Sequence, residues 1–70
     1  MIIKKGTLLI VKDKRKGKYE ARAVRDFDTK DEWYPVTPTQ TVFGMSNYWD
    51  PGEAIPCRKG IATIEIKEVP

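Results

Sequence analysis

Five cationic side chains fall within seven positions, Lys12, Lys14, Arg15, Lys16 and Lys18, with Asp13 as the only acid among them; Arg22 and Arg25 follow close behind. Ammonium and guanidinium groups at this density suit a phosphate backbone, because each contact releases a condensed counterion, and a protruding β-ribbon is a shape that nucleic-acid grooves admit. The plainer reading is a solvated hairpin tip, which many proteins carry without touching nucleic acid. Lys12, Lys14, Arg15, Lys16, Lys18, Arg22 and Arg25 therefore form the candidate nucleic-acid-binding set, weighed against that alternative.

Aromatic residues make a second candidate set: Tyr48 and Trp49, joined by Trp33 and Tyr34. Exposed rings beside positive charge stack on unpaired bases, and rings also anchor protein interfaces. A loop tryptophan can equally fold back to plug the open end of a small barrel. Asp50 and Glu53 next to the first pair disfavour nucleic acid at that loop, although not a protein partner.

The remaining chemistry is narrow. Asp26, Asp28, Asp31 and Glu32 are close in sequence, but they lack the central glycine and distant glutamate of a calcium loop, and Lys30 interrupts them; turn-forming side chains explain them better. Cys57 is the only cysteine, which excludes an internal disulfide and a cysteine-based zinc site. Arg58 and Lys59 beside it would favour a thiolate, yet with no histidine in the chain a buried structural cysteine is the better reading. No glycine loop for cradling phosphates is present. The composition points to a non-enzymatic chain with no catalytic residue, no metal and no cofactor.

The elements that must position these residues read as strands. Thr7 to Val11 is a short apolar run without alternation, as expected of a central strand covered on both faces. Asp13 to Gly17 fits a turn closed by glycine in the left-handed region, and in the return strand Tyr19, Ala21 and Ala23 share one side while Glu20, Arg22 and Val24 share the other. Ile2 and Ile3 extend the first strand past a bend at Gly6, and Phe27 continues the odd-numbered apolar side. Glu32 to Val36 reads as a third strand confined to an edge by Pro35, with Trp33 and Tyr34 on opposite sides. Thr39 to Phe43 is a fourth strand, Met45 to Gly52 a surface loop, and Ile61 to Val69 a last strand with Ala62, Ile64 and Ile66 on one face. No segment has helical spacing.

Such a pattern in 70 residues implies one small β domain, residues 1 to 70. The expected architecture is all-β: a five- to six-stranded antiparallel barrel or strongly twisted sheet, SH3-like or OB-like, in which the first and last strands meet. Ala23-Val24-Arg25-Asp26-Phe27 resembles the Ala-Leu-Tyr-Asp-Tyr signature of SH3 domains, Tyr48-Trp49 is similar to their aromatic pair, and Ile55-Pro56 to their Ile-Pro. Arg25 stands where that family has a ligand-contacting tyrosine, nothing matching Ser-Asn-Tyr follows Pro56, and Phe27 to Ile55 is short. The resemblance implies a fold; it assigns neither family membership nor recognition of proline-rich ligands.

Charge is unevenly distributed. Residues 1 to 25 hold nine Lys and Arg against Asp13 and Glu20, a net of +7, while residues 26 to 70 hold four against eight acids, a net of −4. If folding keeps the halves apart, one face attracts polyanions; the alternative is that solvated charge only maintains solubility and blocks edge pairing. The first apolar runs are too short for a signal peptide or membrane span, so a cytoplasmic protein with no membrane association is expected. The leading expectation is a low-specificity DNA- or RNA-binding module that uses the basic hairpin. The alternative is a module that binds a protein partner, or a second copy of itself, through its aromatics.

Overall fold

A computed structural model describes residues 1–70. The chain is all-β and contains eight strands: β1 (Ile2–Ile3), β2 (Leu8–Asp13), β3 (Gly17–Ala23), β4 (Phe27–Asp28), β5 (Val36–Pro38), β6 (Val42–Phe43), β7 (Tyr48–Trp49) and β8 (Ala62–Glu68). Every strand pairing is antiparallel. The central sheet has the order β5-β3-β2-β8, and two smaller pairs, β1-β4 and β6-β7, flank it. No helix is long and apolar enough to cross a membrane.

β2 is central, as its unbroken apolar run implies. Leu9 and Val11 face the core, while on the opposite side Leu8 is buried and Ile10 half-buried. β3 alternates as its sequence does, with Tyr19, Ala21 and Ala23 buried. The register sets Ala62, Ile64 and Ile66 of β8 opposite Asp13, Val11 and Leu9, so the three share the core-facing side. Burial fades along β8 from Ala62 to Ile66, because nothing covers the outer end of that strand. One cluster of 13 buried residues unites the sheet with Ile3, Phe27, Tyr34, Val42, Ile55 and Cys57. Full burial of a large aliphatic side chain contributes about 2 kcal/mol, and Ile3, Leu9, Val11 and Val36 are the aliphatic side chains most fully buried in this thin core.

The first and last long strands, β2 and β8, do pair, but the ladders do not join into a ring: β5 and β8 are free edges of the sheet. The closed form of the expected barrel is therefore not made by backbone hydrogen bonds. Three local expectations also change. Ile2–Ile3 does not prolong β2, because Gly6 at φ 89 turns the chain and β1 pairs with Phe27–Asp28 instead. The third strand starts at Val36, since Pro35 has no N–H to donate and Trp33 makes only an isolated bridge to Arg58. The fourth shrinks to Val42–Phe43 and pairs with Tyr48–Trp49, so the expected aromatic loop is one arm of a hairpin.

Candidate binding surface at the basic hairpin

The β2–β3 tip is built around a buried carboxylate. Asp13 Oδ1 accepts the amide hydrogens of Arg15 at 2.7 Å and Lys16 at 2.9 Å, and its Oδ2 accepts Lys16 Nζ at 3.2 Å. Its side chain is 1% exposed and that of Lys16 11%. Burial pushes the Asp13 pKa up, but the two amides and the Lys16 ammonium outweigh it and hold the carboxyl below its ordinary range. Gly17 closes the turn at φ 81, where a side chain would be strained. Sequence alone places Lys16 among the phosphate-binding cations, whereas its ammonium is committed to Asp13 and lies 5.4 Å from the centre of the Trp49 ring. Lys16 is a strut between two hairpins.

Lys12, Lys14, Arg15 and Lys18 are exposed and have no carboxylate within ion-pair distance. Lys12 and Lys18 are directly opposite each other across β2 and β3, with Thr63 beyond Lys12 on β8. Like charges so placed oppose folding, and an anion beside them would relieve that repulsion. Arg22 and Arg25 do not join this group. Arg22 is four residues from Lys18 along β3, about 13 Å away, and donates to Gly6 O at 2.9 Å. Between them the sheet carries Glu20, whose carboxylate meets Lys67 Nζ at 2.6 Å, and Glu65 across β2. The Lys67 ammonium, with a hydrogen bond from Thr39, lowers the Glu20 pKa. The seven-residue set thus separates into a four-cation tip, one strut and two distant arginines.

The aromatic set divides as well. Tyr34 is a core residue, 7% exposed; its ring centre is 5.2 Å from that of Phe27, and its hydroxyl donates to Thr29 O at 2.9 Å. Trp33, on the opposite side of the chain, is exposed, with the Arg58 guanidinium 5.6 Å from its ring centre. Trp33, Arg58, Arg15 and Lys16 border one small crevice, so this ring is adjacent to the basic turn. Trp49 borders the turn from the other side, half-buried against the core, in a concavity of about 550 Å³ shared with Lys14, Arg15, Lys16, Gly44, Met45 and Pro56. Gly44 permits this placement: a Cβ there would be 3.0 Å from two atoms of the Trp49 ring.

Pairing of β6 with β7 fixes which rings face solvent. Val42 is opposite Trp49 on the inward face, and Phe43 is opposite Tyr48 on the outward one. Phe43 is 74% exposed and Tyr48 56%, with ring centres 6.2 Å apart. Phe43 becomes a candidate only through this pairing. The available signal was two dipeptides, Val42-Phe43 and Tyr48-Trp49, separated by a connection that begins with Gly44 and ends with Asn47. Asp50 is tied down locally: its carboxylate accepts the Thr41 hydroxyl at 2.7 Å, and its amide donates to Glu53 at 2.8 Å.

The other candidate groups are buried or bonded within the fold. Cys57 is fully buried; burial pushes its thiol pKa up, the reverse of the activation that Arg58 and Lys59 would give an exposed thiol. Its sulfur neighbours Tyr19, whose buried hydroxyl has no partner at hydrogen-bonding geometry and whose pKa is raised chiefly by burial. Within the acidic turn Asp28 accepts the Lys30 amide at 2.9 Å and Asp31 accepts the Asp28 amide at 3.1 Å, while Glu32 reaches outside it to Arg58 at 2.7 Å. No three potential metal ligands gather anywhere. Compared with known proteins, the chain matches no described family, and no curated protein or solved structure is significantly similar to it.

Proposed function

We propose that this chain is a small non-enzymatic module that binds nucleic acid, DNA or RNA, with low sequence specificity through phosphate contacts from Lys12, Lys14, Arg15 and Lys18. The supporting observation is that these four cations share one end of the β2–β3 ribbon and none is ion-paired. Lysine and arginine contacts to phosphate position a nucleic acid without reading its sequence. The non-enzymatic reading draws on the buried thiol of Cys57 and on the local bonding of the acidic turn. A cytoplasmic location and a single-domain, open SH3-like or OB-like arrangement complete the proposal, the latter supported by the pairing of β2 with β8.

The test is charge reversal. Lys14→Glu, Arg15→Glu and Lys18→Glu combined should abolish retention on immobilised nucleic acid at moderate salt, with the fold kept because none of the three is buried. Retention equal to that of the unmodified protein would refute the reading. Exposed Phe43, Met45 and Tyr48 support a second reading, a protein partner or homodimer. That reading requires complex formation, or self-association in sedimentation, which persists in the charge-reversed protein and is lost on truncating Tyr48.

A further inference from the structure

We infer that the ligand of this surface is single-stranded, with unpaired bases stacked on Phe43 and Tyr48; this rests on the nucleic-acid reading above and makes it specific. The β6–β7 hairpin has one face to spend on folding and one left over. Val42 and Trp49 pack against the core, while Phe43 and Tyr48 hold two large rings in water on strands of two residues each. Their rings contribute little to a core that they do not enter.

What adjoins them decides the kind of ligand. A groove of about 430 Å³ runs between the two hairpins, and its wall carries Phe43 beside Lys16, Lys18, Thr39 and Gln40. Lys16 is neutralised by Asp13, so the free charge at the groove is Lys18, with Lys12 across the ladder from it. Glu20, the one acid on the wall, is matched by Lys67. The outcome is a free cation, Lys18, with Lys12 behind it on one hairpin, and on the next the Phe43 ring at the groove with Tyr48 6.2 Å beyond it. A duplex satisfies only the cations, because its bases are stacked inside and present edges, whereas a single strand offers phosphates and base faces together. Gln40, exposed at the groove, supplies both a donor and an acceptor for base edges without selecting one base.

The test uses fluorescein-labelled oligothymidylate and a mixed-sequence duplex of equal length, with binding followed by anisotropy at one low salt concentration. The single strand should bind about 10-fold tighter or more. Phe43→Ala with Tyr48→Ala should weaken single-strand binding by about 10-fold or more and leave duplex binding unchanged. A second variant, Phe43→Leu with Tyr48→Leu, keeps apolar bulk and loses the π-face; it should bind as poorly as the alanine pair, and it serves if that pair fails to fold. Equal affinity for both probes, unaffected by either double variant, would overturn the stacking inference and leave the charge-based function standing. Failure of both probes to bind would overturn both. Loss of self-association in the leucine variant, with oligothymidylate binding intact, would assign the rings to a protein interface and overturn the inference.

Discussion

The two ends of the β2–β3 ribbon began with similar charge and finished differently. At the end nearest the termini, Lys4 faces Asp26 at 3.6 Å, the Met1 ammonium faces Asp28 at 3.4 Å, and the Lys5 amide donates to Asp26 at 2.7 Å. At the tip, Asp13 is the only carboxylate, and it is occupied by Lys16 and two amides. Topology contributes to the difference: β4 returns to pair with β1, so that Asp26 and Asp28 meet the first cations, whereas Glu32, next to Trp33 in the crevice that Arg15 borders, is paired with Arg58. A basic surplus counted along the first 25 residues is therefore divided in space: the tip gathers four cations without an ion pair, whereas at the other end Lys4 and the amino terminus are paired and Lys5, Arg22 and Arg25 are not.

The sharpest way to break this contrast is to reverse charge at each end in turn. Reversal of Lys14, Arg15 and Lys18 should lower affinity for nucleic acid by roughly two orders of magnitude, whereas Arg22→Glu with Arg25→Glu should change it by less than about 3-fold, as measured by anisotropy at fixed salt. Equal losses from the two sets would show that the ends are not distinct. Asp13→Asn comes next. Its amide nitrogen would confront the Lys16 ammonium and the charge pair would be lost, destabilising the fold by about 2 kcal/mol and lowering Tm by roughly 10 °C. Gly44→Ala should cost about 1 kcal/mol and shift Trp49 fluorescence, because the new methyl group reaches the ring.

The tip carboxylate also makes stability depend on pH. Folded Asp13 is held below its ordinary value of 3.8, so its contribution is complete above the unfolded pKa and disappears as pH falls through the folded one. Denaturant midpoints should drop below about pH 4, and Asp13→Asn should flatten that drop. Asp26, Asp28 and Glu20 shift in the same direction, so part of the slope persists in the variant. The smallest expected effect is at Cys57. The native thiol should react with a thiol reagent only as fast as the protein unfolds, and fast native labelling would contradict its burial.

The long elements were legible in the sequence because periodicity and burial agree there: β2 as a central strand, the Asp13–Gly17 turn, β3 alternation around Tyr19, Ala21 and Ala23, and β8 with Ala62 and Ile64 inward. The short pairs were not. Two residues give no period, so Val42–Phe43 and Tyr48–Trp49 were visible only as loop and strand fragments, and Phe43 was missed with them. Spacing also cannot reveal that Lys16 turns back onto Asp13, or that Tyr34 rather than Trp33 is the inward ring. Both depend on side-chain burial. The distance from Lys18 to Arg22 follows from strand rise alone, but that Glu20, Glu65 and Lys67 occupy the sheet face between them required the register.

The most direct test of the account is the salt dependence of oligothymidylate binding. Four phosphate contacts on a single strand predict a slope of about −3 for log affinity against log salt, and reversal of Lys14, Arg15 and Lys18 should bring it to about −1 or shallower. A slope near zero in the unmodified protein, or one unchanged by the reversal, would contradict the claim that unpaired cations at the β2–β3 tip hold the ligand.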